Sequence, residues 1–536
     1  MKAPFSGGRP RLFSSRGIGF MDAATGWTFV FTVSALLCAG PLTPRVSAAD
    51  PVLSDAQIQS WFDSNLKDGA NNLLPVRKNC YATELIDGSA YFQTAARRIE
   101  SVSGTGSYIY LLNWWIDDSI PVKGDGTTLR DLLGMASTSQ VQIRGMFWDA
   151  YLNKLNKQAV HDINQFQNGG AVLDSKTLNC GSHHQKLLLI YDVNTQELDA
   201  FCGGLDFNRD RLYPNGTNGA TQVGGPDHDV QVLLRGPAAW DLLQVFKKRW
   251  WDNANVAALP TTPGDDKKGL WGQDYPNIGW TVSSLYHAWA QIGCTFPPPG
   301  LLNLSWYNFA PHGEQSARGM ILHAITNATK YIYLEDQFMV SPEASQALRD
   351  ALNANPQLQL IILIPDWTIT LGGQALQRHR HAFLFPLMLA AGARVHVFIR
   401  TGNPSGTDQH TYIHSKSWIF DDEFAIIGSA NCNNRSWTYD SEVVAGICDP
   451  GNGANQRFAH RLRVELWQEH LNATAAQLDD WSAAIKLWTQ NLPAGNHITP
   501  YDGSLPWNPL DGVQNSGVGA GWGTWGDPDA GTLPLH

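Results

Sequence analysis

The sequence predicts an α/β fold of two similar halves, each an α/β/α sandwich, related by a pseudo-two-fold. Three observations predict it. The first is a recurring order of segments. "GSYIYLLNWWID" at 106–117 is answered by "KYIYLEDQFMV" at 330–340, each after a polar, helix-like stretch, "TAARRIESVSG" and "ARGMILHAITNAT". A second β-rich run follows in each half, "VQIRGMFWD" from Val141 and "LQLIILIPDW" from Leu358. Then come a His-x-Lys element and a glycine pair or Gly-Ser. The second observation is spacing: Tyr108 to His184 is 76 positions and Tyr331 to His414 is 83, the mark of an internal duplication. The third is that the apolar runs are continuous and separated by helix-length segments, the pattern of a mostly parallel sheet covered on both faces.

Taken in order, the elements begin with a leader. Lys2, Arg9, Arg11 and Arg16 precede the apolar "WTFVFTVSALLCAG" and the small-residue "PRVSAAD", the layout of a secretory signal peptide cleaved near Ala48 or Ala49. The alternative is a membrane anchor, but the apolar run falls short of the ~20 residues a span needs. A chain of 536 residues exceeds one small core, and the divisions expected are a signal peptide at 1–49, an N-terminal half at 50–310, a C-terminal half at 311–500 and a tail at 501–536. "GPAAWDLLQVFKKRWW" opens on Gly-Pro and carries apolar residues at helical spacing, as "FAHRLRVELWQEHL" does near residue 460. From residue 501 Gly, Pro and Trp dominate, as in "GVGAGWGTWGDPDAG", which predicts loop. Export makes disulfides permissible among Cys80, Cys180, Cys202, Cys294, Cys432 and Cys448. The pair favoured is Cys180–Cys202, which brackets the first His-x-Lys element.

Charge narrows the function. Charged residues are 16% of the chain, the net charge is −10 and no long basic run occurs, which argues against a protein held on nucleic acid by phosphate contacts. The chemistry lies in the two His-x-Lys elements, His184/Lys186 and His414/Lys416. On a strand alternate residues share a face, so each imidazole stands beside an ammonium, and a point cation suits a phosphate oxygen. Gly428 and Ser429, and Gly203 and Gly204 in the first half, open tight segments whose N–H groups can meet further oxygens. Asn431 and Asn433, with Asn208 in the first half, add amides. One imidazole attacks phosphorus; the other protonates the leaving alcohol and then activates the incoming water or alcohol. No metal or cofactor is required, since lysines and amides meet the charge of the transferring group, and no cysteine pair has metal-ligand spacing. Each imidazole needs an orienting acceptor, and the best-placed acids, each in its own half, are Asp229 in "GGPDHDV" and Glu442 in "YDSEV".

"HSKSWIFDDEFAIIGSANCNNRS" resembles the phospholipase D superfamily motif through His414, Lys416, Asp421, Gly428 and Ser429. "HHQK", "GGLD", "HDVQVLLRGPAAWDLL", "YIYLEDQF", "DSE" and "RLRVELWQEHL" extend the resemblance over roughly residues 90 to 475, and the last favours phospholipases over the smaller nucleases of the superfamily. The resemblance implies a bilobal α/β/α enzyme, with the active site at the interface of its halves, that hydrolyses a phospholipid headgroup ester to phosphatidic acid and alcohol, with transphosphatidylation and without a metal. It implies His184 as nucleophile, His414 as acid/base, and the motif acids Asp421 and Asp192 as structural groups turned away from the phosphate. The first motif departs twice: Asp192 lies one residue late, so that either a bulge returns it to position or Tyr191 stands there, and Gly204 replaces the serine. The partner expected is a phospholipid membrane or micelle surface, met by a secreted monomer whose 21 Trp suit an interface. The alternatives are a nuclease or other phosphodiesterase, a phosphatidyltransferase, or a non-catalytic lipid-binding protein.

Overall fold

The computed structural model describes residues 52–150, 153–176, 181–211, 227–253, 287–299, 307–366, 373–402 (side chains from 376), 411–451 and 457–501. The expected leader and all but the first residue of the tail lie outside these. Eighteen strands are described: β1 (Arg77–Ile86), β2 (Tyr108–Asn113), β3 (Gln142–Trp148), β4 (Gly169–Asp174), β5 (Leu187–Asp192), β6 (Glu197–Gly203), β7 (Asp227–His228), β8 (Val230–Arg235), β9 (Ala288–Phe296), β10 (Glu314–Gln315), β11 (Tyr331–Asp336), β12 (Gln359–Pro365), β13 (Val395–Arg400), β14 (Tyr412–Ile413), β15 (Lys416–Phe420), β16 (Phe424–Gly428), β17 (Glu442–Cys448) and β18 (Ile498–Pro500). The helices are α1 (Asp55–Ser60), α2 (Asp87–Ser101), α3 (Leu129–Thr138), α4 (Lys154–Ile163), α5 (Pro237–Trp251), α6 (Ser316–Asn327), α7 (Pro342–Ala354), α8 (Gly373–Ala391), α9 (Asn434–Thr438), α10 (Phe458–Leu471), α11 (Ala475–Leu478) and α12 (Trp481–Thr489).

Strand order displays the duplication. One sheet runs β18-β13-β12-β11-β15-β16-β17-β9-β1-β8-β6-β5-β2-β3-β4. Outward from the central β9–β1 pair, every strand except the terminal β18 has its counterpart on the other side: β17 and β8, β16 and β6, β15 and β5, β11 and β2, β12 and β3, β13 and β4. Strand β9 is thus the counterpart of β1. The sheet is mixed, not mostly parallel. Parallel pairing is confined to β2-β3-β4 and β11-β12-β13; the inner strands are antiparallel because short turns join β5 to β6 and β15 to β16. Their apolar runs read as continuous for another reason, which is that helices cover both faces.

Period two sorts the side chains into those cores. Tyr108, Tyr110, Leu187, Leu189 and Tyr191 share one core with Tyr331, Tyr333, Ile361 and Ile419, under α5, α10 and α12. The alternate residues Ile109, Leu111, Leu188 and Ile190 pack on α2 to α4, and Ile332, Leu334, Leu360 and Ile362 on α6 to α8. Each fully buried aliphatic or aromatic side chain contributes about 1.5–3 kcal/mol, so a core common to both repeats ties them into one body. Helix α5 starts as its Gly-Pro predicts. Gly236 has φ +88°, and a Cβ there would lie 2.7 Å from the Asn79 carbonyl oxygen, while Pro237 occupies the first turn. The expected Cys180–Cys202 bridge finds no support: Cys202 is a buried free thiol in β6, and Cys180 lies outside the described residues. Among the described residues no helix is long and apolar enough to cross a membrane.

Candidate active site

Two short backbone contacts build the site. Strand β14 pairs with β7 in parallel, Tyr412 with Asp227 and Ile413 with His228, and His183 bridges Ser441 in the same sense. Each His-x-Lys element is thereby stitched to the acid-bearing turn of the opposite repeat. The His414 N–H donates to the His228 carbonyl at 2.8 Å, and the His184 N–H to that of Ser441 at 3.0 Å.

This crossing exchanges the orienting acids. His184 Nδ1 lies 2.9 and 3.0 Å from the Glu442 oxygens, and His414 Nδ1 lies 2.6 Å from Asp229 Oδ2. Each acid therefore meets the histidine of the opposite half. With Nδ1–H donated to a carboxylate, Nε2 carries the lone pair. Burial, with the cations of Lys186, Lys416 and Arg435, holds His184 well below the usual imidazole range. Burial and then Arg211, Lys416 and Lys186 do the same to His414. Burial raises Asp229 to about 6 against the pull of Lys416 and Arg211, and burial with Asp440 raises Glu442 well above its ordinary value.

Both lysines are buried and fixed. Lys186 Nζ donates to the His184 carbonyl at 2.8 Å and lies 3.4 Å from Asp206. Lys416 Nζ donates to Gln337 at 3.1 Å and to the His414 carbonyl, and burial lowers it to about 8. Ser429 Oγ donates to Glu442 and accepts the Val443 N–H at 3.0 Å, so it holds the acid of His184. The glycines make room for crossing backbone: a Cβ would lie 2.4 Å from the Val230 oxygen at Gly203 and 2.4 Å from the Val443 oxygen at Gly428. At Gly204 it would lie 2.1 Å from Asp229 Oδ1, which is the physical reason the motif serine is missing there. Asn433 caps α9 by accepting the Ser436 N–H at 2.7 Å. The buried Asn431 Oδ1 has no hydrogen-bond partner among the described residues. Asn208 is buried and its carbonyl accepts the Arg211 N–H at 3.2 Å.

The motif acids lie away from the imidazoles. Asp421 accepts the N–H groups of Thr329, Lys330 and Tyr331 at 2.7 to 2.8 Å, plus the Thr329 hydroxyl, and so ties the entry of β11 to the exit of β15. In the first repeat no bulge intervenes. Tyr191 pairs with Tyr108 in register and stacks on it at 5.1 Å; Asp421, whose N–H reaches Tyr331, has the same place in the second. Tyr191 thus occupies the acid position. Asp192 closes the next turn by accepting the Asn194 N–H at 2.9 Å.

Sequence reasoning missed the arginines. Two residues before each orienting acid stands a further Asp, giving Asp227-x-Asp229 and Asp440-x-Glu442. Asp227 pairs with Arg211, and Asp440 with Arg435 at 2.9 Å. Arg211 Nη2 reaches His414 Nε2 at 3.2 Å. The repeated Asp-x-Asp/Glu spacing was the available signal. Trp114 also stands at the site, 6.0 Å from the His184 ring and stacked on Trp148 at 5.9 Å.

Beneath His414 lies a buried polar network. His228 meets Asp87 at 2.9 Å and Glu335 at 3.1 Å, and Glu335 meets His470 at 2.7 Å. His228, Glu335 and His470, or Asp87, His228 and Glu469, have donor atoms close enough to hold a metal ion. Arg400, however, lies 3.0 Å from both His470 Nδ1 and Glu469. Burial opposes charge on His228, yet Glu469, Asp87 and Glu335 hold it well above its ordinary value. The network therefore supplies its own cations, and a metal would have to displace them.

Residues 321–468 match the family described as cardiolipin synthase, PLD-like domain. The chain is 22% identical over 516 residues to phospholipase D alpha 1 of Oryza sativa subsp. japonica, covering 71% of this chain and 63% of that one. It is 24% identical over 486 residues to phospholipase D alpha 4 of Arabidopsis thaliana, covering 69% and 62%. It thus spans less than two thirds of the length of these plant relatives. Among solved structures, phosphatidylserine synthase of Haemophilus influenzae Rd KW20 has a similar fold, with a TM-score of 0.51 and 12% identity over 83% of this chain and 96% of that one.

Proposed function

The chain belongs to the phospholipase D superfamily, and from that premise we propose that it hydrolyses the headgroup phosphodiester of glycerophospholipids such as phosphatidylcholine. The products are phosphatidic acid and a free alcohol, with transphosphatidylation when another alcohol replaces water. The observation that carries the reading is the pair of buried imidazoles, each with Nδ1 on a carboxylate of the opposite repeat and each beside a lysine. His184 Nε2 attacks phosphorus and forms a P–N bond. The P–O bond to the headgroup breaks with its electron pair on oxygen, which takes the proton of His414 Nε2–H. Water then attacks the phosphohistidine, gives its proton to His414 Nε2, and the P–N bond breaks. Lys186, Lys416 and the guanidinium groups spread the charge of the transferring phosphoryl group.

Phosphatidyl transfer is the second reading, because the same intermediate is open to an alcohol as much as to water. On the leading reading the protein is exported by residues 1–49 and meets a phospholipid surface as a monomer, without nucleic acid, in keeping with its net charge of −10. The test is incubation with phosphatidylcholine vesicles and a primary alcohol in the presence of a chelator. Choline release with formation of phosphatidyl-alcohol is expected. A folded protein that frees no headgroup from any phospholipid refutes the reading, and exchange without hydrolysis turns it to transferase. A denaturing quench is expected to trap phosphoenzyme in His414→Ala and none in His184→Ala.

A further inference from the structure

The two imidazoles are alike in their acids and lysines and unlike at the nitrogen that meets the phosphate. His414 Nε2 lies 3.2 Å from Arg211 Nη2, whereas the His184 ring meets Glu442 through Nδ1 and the Ser429 backbone. Since His414 Nδ1–H donates to Asp229, the guanidinium N–H donates into the Nε2 lone pair. Arg211 is buried, ion-paired with Asp227 and 3.0 Å from Asp210. Asp227 belongs to β7, which pairs with the strand leading into His414, so one backbone contact fixes arginine and imidazole together. Across the pseudo-two-fold, Arg435 Nε is committed to Asp440 at 2.9 Å.

We propose that Arg211 withholds His414 from nucleophilic attack and then moves its hydrogen bond to the phosphodiester, so that one arginine gives two like imidazoles unlike roles. The proposal rests on the phosphodiesterase reading above. A lone pair that accepts an N–H is not free to attack phosphorus, and the P–N bond forms at His184. A phosphodiester oxygen is anionic and a stronger acceptor for a guanidinium than a neutral imidazole, so substrate draws Arg211 off Nε2. His414 then takes a proton from solvent at Nε2, with Asp229 on Nδ1. As the P–O bond breaks, that proton passes to the departing oxygen. The groups facing His414 are Arg211, Lys416 and Lys186 as cations, His184 as a second imidazole, and Asp229 as the carboxylate. Removing one cation from this set favours the imidazolium, and His414 then stays protonated to higher pH.

The test is Arg211→Met, with Arg211→Met/Asp227→Asn as the variant that removes both members of the buried ion pair; thermal melts verify folding. Two measurements are made. Histidine-labelled ligand-free protein is titrated by NMR, and the His414 titration is expected to move upward in both variants. Protein is also quenched under denaturing conditions during turnover of bis(p-nitrophenyl) phosphate, a lipid-free phosphodiester, and the phosphopeptides are mapped. The wild type is expected to carry phosphate on His184 alone, and the variants on both His184 and His414, with turnover lower by about 100-fold. Phosphate confined to His184 in the variants, or an unmoved His414 titration, overturns the proposal. A wild type that forms no phosphoenzyme from this probe or from phosphatidylcholine refutes the phosphodiesterase reading instead, and the titration then decides the Arg211 contact by itself.

Discussion

At the scale of single residues, Gly204 is the most instructive position. Its carbon sits where a side chain would strike Asp229, at 2.1 Å from Oδ1, so the first motif lacks its serine for want of space. Gly204→Ser restores the motif in writing and displaces the acid of His414 in fact. Displacements of that size cost about 100-fold in turnover, and we expect that loss with a melting temperature close to wild type, measured as headgroup release beside a thermal scan. Asp229 makes a second prediction. Burial raises its carboxyl to about 6, and the ionised form is the stronger acceptor for the His414 Nδ1–H. Turnover should therefore fall as pH drops through about 6, and Asp229→Asn should lose roughly 10²- to 10⁴-fold and flatten that acid limb. A limb unchanged in Asp229→Asn assigns it to another group.

At the scale of elements, the strand that carries a motif decides what its acid does. The turn after β15 needs a carboxylate because three consecutive N–H groups at the start of β11 point at Asp421. The turn after β5 takes its carboxylate one residue later, where Asp192 accepts the Asn194 N–H. There Ser107 Oγ accepts the Val193 N–H at 3.0 Å and Asn194 reaches the Ser103 carbonyl at 2.9 Å, leaving Tyr191 to fill the shared core. Asp421→Ala is expected to cost about 1–3 kcal/mol by leaving buried donors unsatisfied, and Asp192→Ala much less. Tyr191→Asp, which matches the motif on paper, is expected to be the most damaging of the three, since it buries a carboxylate among aromatic rings. Urea unfolding midpoints rank them, and a stable Tyr191→Asp contradicts the register. The motif residues were legible one by one. That Tyr191 and not Asp192 corresponds to Asp421 became legible only through strand pairing, because a spacing that is one residue long fits a bulge as well as a substitution.

At the scale of the whole molecule, the duplication was readable because it repeats local segments in order, and the exchange of acids was not, because nothing local encodes it. Glu442 stands 258 positions from His184, and Asp229 stands 185 from His414; apolar periodicity places each on its own turn and is blind to which histidine it faces. The arginines were hidden for the same reason, since Arg211 acquires meaning only when β14 lies beside β7. The two repeats are interleaved elsewhere too. The segment before β1 packs on the second repeat, with Trp61 stacked on Phe424 at 5.6 Å, and β1 pairs with β9 at the centre of the sheet. A chain opened between Asn253 and His287 therefore yields one fragment that has His184 without Glu442, and another that has His414 without Asp229. Each also exposes an unpaired edge, β1 or β9, that invites aggregation. The fragments are expected to be inactive apart and active when co-expressed, with β1 and β9 rejoined, and His184→Ala in the first fragment should abolish the recovered headgroup release. Activity in either fragment alone would mean that an imidazole finds its carboxylate within its own repeat, contrary to the crossing that β7–β14 and the His183–Ser441 bridge impose.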